Sequence, residues 1–248
     1  FVATCNSLLR FTRKGKVDHL PFLRNKLSIL GGGLIGLNWG IFVWAVESER
    51  VVEASLGYFM NPLMNVFLGV VFLGEALRKA QWLAVTFAAA GVLWLTVSLN
   101  SFPWVSLTLA ISFALYGLIR KVAPASPLQG LRVETSILLI PAVTFVVLRG
   151  NASENLTGDN ATVILILLSG AVTGIPLLLF ASSAKRIPLS ILGILQYVTP
   201  TIQFLLGVFA YNETFDSNRL IGYSIIWSGL VIFALDSFRF ASIQDTHE

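Results

Sequence analysis

Three uncharged polar side chains, Tyr58, Asn61 and Asn65, stand at i, i+3 and i+7 in an otherwise apolar stretch, and Gln196, Thr199 and Gln203 repeat that spacing 138 residues later. On a helix such a spacing puts each set on one face. Amides and hydroxyls of this kind donate and accept hydrogen bonds and are poor nucleophiles, acids and bases, so the chemistry they offer is recognition. An amide in hydrocarbon has to find a partner, and an interhelical bond of this type contributes only about 0.6 to 2 kcal/mol. A polar line kept in both places is expected to face a solute pathway, with bonding between packed helices as the competing use.

Other residues extend that line. Asn38, Trp39 and Trp44 lie in the preceding apolar run and Tyr116 in a later one, where they would add amide and aromatic walls. Pro62 and Pro200 follow the middle member of each set, and a proline inside a helix frees a carbonyl one turn earlier, so both are expected to act as hinges. Glu134 is a carboxylate close to hydrocarbon and a candidate for carrying a coupling proton, against a pairing with neighbouring Arg132 or contact with headgroups. Glu75 and Glu213 occupy matching helix ends, where accepting backbone N–H groups at the start of the following helix is the expected role.

Catalytic and cofactor chemistry finds little support. His19 and His247 lie outside the apolar runs and Cys5 has no second cysteine, so neither a metal cluster nor a Ser, His and Asp set can be assembled. The string GGGLIG at 31–36 lacks the Lys-Ser/Thr of a nucleotide loop and follows no strand. No cofactor is expected, and the chain does not read as an enzyme. Gly32, Gly36 and Gly40, echoed by Gly170 and Gly174, form a small-residue ladder of the kind that lets helices approach closely.

The elements that must position these residues are membrane helices. The chain is 55% hydrophobic and only 12% charged, with a mean hydropathy of +0.78, against about 25% charged in an ordinary soluble domain. Apolar runs long enough to cross a bilayer occur near 28–46, 53–74, 80–98, 102–119, 132–149, 161–183, 188–210 and 218–238. They are apolar all round and do not alternate, which excludes barrel strands. The fold class expected is therefore all-α, a polytopic membrane helix bundle. The net charge of +4 arises from residues between these runs: fourteen Lys and Arg fall on one side and three on the other. That bias places the richer side, and the C-terminus, in the cytoplasm, and it removes nucleic acid from the expected partners. A small solute and the lipid bilayer remain, with a homodimer left open.

The 138-residue offset aligns much more than the polar sets. Without a gap it places Gly32 on Gly170, Phe42 on Phe180, Pro62 on Pro200, Gly69 on Gly207, Glu75 on Glu213 and Gly91 on Gly229. The expected organisation is the end of a first repeat at 1–98, a second repeat at 102–238 and a cytoplasmic tail at 239–248. Five helices per repeat is an odd number, so the copies should be inverted, an architecture common in secondary transporters. In this frame about eight of ten helices are present, the first helix and most of the second being absent from the start.

The stretches EASLGYFMNPLMNVFLGVVFLGE (53–75), QWLAV (81–85), SFALYGLIRK (112–121) and ILGILQYVTPTIQFLLGV (191–208) resemble the RarD-type branch of the EamA family, within the drug/metabolite transporter superfamily. The resemblance covers almost the whole chain. It implies a ten-helix protein of the bacterial inner membrane with both termini cytoplasmic, and a permease for small metabolites or drugs. Alternating access about the polar line is the mechanism expected. A noncatalytic scaffold or assembly subunit is the alternative, ahead of a membrane-embedded enzyme.

Overall fold

The computed structural model describes residues 21–98, 102–149, 160–209 and 217–245, and every element among them is helical. In chain order these are α1 (Pro21–Glu47), α2 (Val51–Leu73), α3 (Lys79–Ser98), α4 (Trp104–Val122) and α5 (Pro127–Arg149), then α6 (Asn160–Arg186), α7 (Leu189–Leu195), α8 (Val198–Phe209) and α9 (Ser217–Asp245). Backbone groups in hydrocarbon must be satisfied within their own segment, which these apolar helices achieve. Their outward side chains are also apolar: Ile140, Val172 and Phe238 are each more than 70% exposed, a pattern suited to lipid and costly in water.

Six helices among the described residues are long and apolar enough to cross a membrane: Lys26–Glu47, Val51–Leu73, Lys79–Ser98, Trp104–Val122, Leu168–Arg186 and Ser217–Arg239. Two of the eight runs read from the sequence differ. α5 starts five residues earlier than expected and carries Arg132 and Glu134 in its first half, which lowers its hydropathy. The run at 188–210 is two helices, the seven residues of α7 and the twelve of α8.

The chain divides into two compact units. The first joins residues up to Leu37 with Tyr116–Ile187, and the second joins Asn38–Leu115 with residues from Pro188 onward. Within the first unit, Gly31, Gly32 and Gly36 of α1 face α5; a Cβ on Gly32 would lie 3.3 Å from the Cα of Glu134, and one on Gly36 2.5 Å from Leu138. The small-residue ladder works at these rungs only, since Gly40, Gly170 and Gly174 have nothing within 4 Å. α4 and α6 end by capping each other. Lys121 donates to the carbonyls of Ala184 (3.1 Å) and Ile187 (2.6 Å), and Lys185 donates to those of Ala123 and Ala125. Lysines near helix C-termini satisfy carbonyls that have no partner within the helix.

The second unit contains the repeat in its contacts. α9 packs along α3 and α7 along α2. A Cβ on Gly91 would meet Gly222 and Ile226; one on Gly229 would meet Ala84 and Ala88. Adding 138 to Gly91, Ala84 and Ala88 gives Gly229, Gly222 and Ile226, so each contact is the other with the copies exchanged. That reciprocity is the mark of a two-fold relation. The same relation holds at the other pair, where the Tyr197 hydroxyl donates to the carbonyl of Phe59 at 3.1 Å, 138 residues away.

The two copies nevertheless differ in shape at their prolines. Pro200 has no N–H for the carbonyl of Gln196, and the chain there tightens into i→i−3 bonds: Gln196 to Gly193 (3.0 Å), Tyr197 to Ile194 (3.1 Å) and Thr199 to Gln196 (3.1 Å). α7 ends and α8 begins across this turn. Pro62, by contrast, lies inside an unbroken α2. Gly193 packs against the Pro62 carbonyl, where a Cβ would come within 2.7 Å, and this contact braces α2 at the level of its proline.

Gly74, in the left-handed conformation at φ 65°, ends α2 and turns Glu75 towards α7. The Glu75 carboxylate accepts the N–H groups of Leu189 (2.7 Å) and Ser190 (2.8 Å) and the Ser190 hydroxyl (2.8 Å). It caps a helix start as expected, but that of α7 and not of the following α3. Its counterpart Glu213 lies outside the described residues.

The reciprocal glycine contact is testable. Gly91→Ala should lower the melting temperature of the purified protein, since overpacking against backbone costs about 1–3 kcal/mol. Gly40→Ala, with nothing nearby to strike, should leave it unchanged or slightly raise it.

Candidate functional site: a cavity at the broken helix

α2 carries Asn61 and Asn65 one helical turn apart, and the break after Leu195 brings Gln196 opposite both. The Gln196 side-chain oxygen accepts from Asn61 Nδ2 at 3.2 Å and from Asn65 Nδ2 at 2.5 Å. Asn65 is fully buried and Asn61 nearly so. Their own oxygens have no partner among the described residues, and an unpaired buried acceptor costs about 1–3 kcal/mol. The knot of three amides therefore leaves two buried acceptors unspent.

Next to it lies a cavity of about 210 Å³, bordered by Asn38, Tyr58, Asn61, Gln196, Thr199 and Pro200 among its walls. Phe42 and Phe113 supply aromatic wall, and Leu109, Ala54 and Gly57 the apolar floor. Asn38 is fixed in place by its Nδ2, which donates to the carbonyl of Leu109 and to the Ser112 hydroxyl, both at 2.9 Å. Both amide hydrogens are thereby used, and the Asn38 oxygen is the atom left to face the space. Tyr58 stands edge-on to Phe42, with ring centroids 6.2 Å apart. None of the described residues bordering the cavity is charged.

Other residues singled out from the sequence stand elsewhere. Asn65 is behind the cavity wall and acts through Gln196. Trp39 is about half exposed on the outer surface. Trp44 packs on Trp104 at 5.3 Å, with the Arg50 guanidinium over both rings. The side chain of Gln203 lies outside the described residues.

Tyr116 belongs to a second cluster, in the first unit. Its hydroxyl donates to Glu134 Oε2 at 3.0 Å, while Arg120 Nη1 reaches Glu134 Oε1 at 3.2 Å and Arg120 Nη2 donates to the Pro127 carbonyl at 2.6 Å. Arg120, Tyr116 and Glu134 are all within 1% of full burial. The ion pair of Glu134 is thus with Arg120; Arg132, the neighbour in sequence, is exposed. Spacing along one helix could not reveal that pair, because the two residues sit on consecutive helices and meet only when these pack. Phe42 and Phe113 were likewise hidden among many phenylalanines, and only the repeat match of Phe42 with Phe180 marked one of them.

Among the described residues no group of His, Cys, Asp and Glu could hold a metal ion. The chemistry the cavity offers is hydrogen bonding and aromatic contact.

The model of the EamA-like transporter family matches residues 8–97 and again 103–235. The chain belongs to the EamA-like transporter family. As an EamA protein it is a multi-pass membrane protein of helical fold and a membrane transporter by family. It is 42% identical over 241 residues to the Streptomyces exfoliatus "Protein RarD", covering 95% of this chain and 76% of that one. It is 41% identical to the Bacillus subtilis "Uncharacterized transporter YojE", over all of this chain and 85% of that one. A "Chloramphenicol-sensitive protein RarD" of Pseudomonas aeruginosa is 34% identical, over 85% of this chain and 70% of that one. These relatives make it an EamA member of the RarD type. A crystal structure 17% identical, with a TM-score of 0.57 over 96% of both chains, shares the fold.

The buried pair in the first unit yields a prediction. Removing one partner of a buried ion pair costs about 3–5 kcal/mol, whereas replacing both by apolar residues of similar volume is often neutral. Arg120→Met and Glu134→Met should each lower the melting temperature sharply, and the double variant should recover most of the loss.

Proposed function

We propose that this EamA-family chain is a secondary transporter that moves a small organic solute through the cavity at the broken helix by alternating access. The observation that carries this reading is an asymmetry between equivalent parts. Asn61 and Gln196 come from helices related by the repeat; one helix is unbroken at its proline and the other is broken, and the cavity opens where the two differ. If the copies can exchange shapes, a second arrangement follows from the same sequence, with its opening on the other side of an inverted pair. Discontinuous helices at a repeat interface are where transporters of this kind bind their solutes.

The setting belongs to the proposal. The excess of Lys and Arg on one side supports a cytoplasmic C-terminus, and the likeness to RarD-type proteins of bacteria supports a bacterial inner membrane location. A charge crossing the field is worth about 2.3 kcal/mol per 100 mV, enough for one titrating carboxylate to couple transport to a proton gradient. Glu134, buried and held by one guanidinium and one phenol, is the carboxylate assigned to that role.

Two experiments test these points in proteoliposomes. Asn61→Leu with Gln196→Leu should reduce solute exchange at least tenfold while the protein remains folded by circular dichroism; unchanged exchange would remove the cavity from the mechanism. Glu134→Gln should abolish the response to an imposed pH gradient and spare exchange between equal solute concentrations. A response equal to that of the unaltered protein would confine Glu134 to packing.

A further inference from the structure

Resting on the reading of this cavity as the solute site, we propose that it selects small uncharged solutes bearing a group that both donates and accepts hydrogen bonds, such as an amide or an alcohol, on an apolar or aromatic body.

The first argument is the inventory of atoms facing the space. Asn38 presents an amide oxygen, because its amide hydrogens are taken by Leu109 and Ser112, while Asn61 borders the space and donates to Gln196. Gln196 has spent its oxygen on two asparagines, so its amide nitrogen remains as a donor. The hydroxyls of Tyr58 and Thr199 can act either way. A ligand satisfying these atoms needs at least one N–H or O–H for the Asn38 oxygen and one acceptor for the Gln196 nitrogen. Turning over the three amides of the knot would exchange donor for acceptor and leave the cavity equally neutral.

The second argument is the fate of the nearby charges. In the same unit Glu53 is paired with Arg50 at 3.5 Å, Arg78 with Asp236 at 2.5 Å, and Glu75 is committed to the start of α7. None of them borders the cavity, so a charged solute would lose water without gaining a counter-ion there, and burying an unpaired charge is heavily penalised. The third argument is size and shape. About 210 Å³ is less than the roughly 300–1,000 Å³ typical of pockets for drug-sized ligands, and Phe42, Tyr58 and Phe113 offer ring surface. One ring with one polar substituent suits that space.

Three near-isosteric probes separate charge from shape: benzamide, benzoate and benzylammonium, titrated at pH 7 against the purified chain in lipid nanodiscs by saturation-transfer NMR. Benzamide should bind saturably and each ion at least tenfold more weakly. Asn61→Asp should reverse the order in favour of benzylammonium, and Gln196→Leu should weaken benzamide. Equal binding of benzamide and either ion, still lost in Gln196→Leu, would overturn the neutral selectivity and leave the solute site standing. Binding of none of the three, or binding indifferent to Gln196→Leu, would count against both.

Discussion

A single side-chain oxygen, that of Gln196, accepts two hydrogen bonds at once from Asn61 and Asn65, and it is in reach of both only because the backbone breaks its helix at that residue. In hydrocarbon each of these groups would otherwise need its own partner, so the knot couples the break to the packing of α7 on α2. Two further constraints hold α7 in place. Glu75 ties down its first N–H groups, and Gly193 lets it lie directly on the Pro62 carbonyl. The cavity lies beside the break between α7 and α8, bordered by Gln196, Thr199 and Pro200.

The repeat explains why this arrangement is more than local. Gly91 against Gly222 and Ile226 mirrors Gly229 against Ala84 and Ala88, and Tyr197 bonds to its own counterpart Phe59. Some contacts obey the two-fold relation, and others depart from it. The violation is concentrated at Pro62 and Pro200, next to the cavity. The proposed alternating access requires that this region adopt a second arrangement, because a solute can shift an equilibrium only by binding its two states unequally.

Much of this was legible in the residues. Six of the apolar runs are helices of membrane length, the 138-residue offset recurs in reciprocal contacts, and Tyr58, Asn61, Gln196 and Thr199 of the polar sets border one cavity. What was not legible depends on packing between helices. Two equivalent prolines look the same in sequence, yet only Pro200 accompanies a break, while Pro62 lies inside an unbroken α2 against Gly193. Asn65 reads like Asn61 but points into the packed interface. Glu134 has an arginine two residues away and pairs with one fourteen residues away, across the loop between α4 and α5. Glu75 reaches past the helix that follows it to one 114 residues on.

The central claim is that the space beside Gln196 opens in turn to the two sides of the membrane. Thr199→Cys, made together with Cys5→Ser so that no other thiol remains, places a single reactive group on the cavity wall, and a membrane-impermeant thiol reagent can be applied to either face of sealed vesicles. Alternating access predicts modification from both faces, with solute protecting the thiol from each. Modification from one face only, whatever the solute or pH gradient, would contradict it.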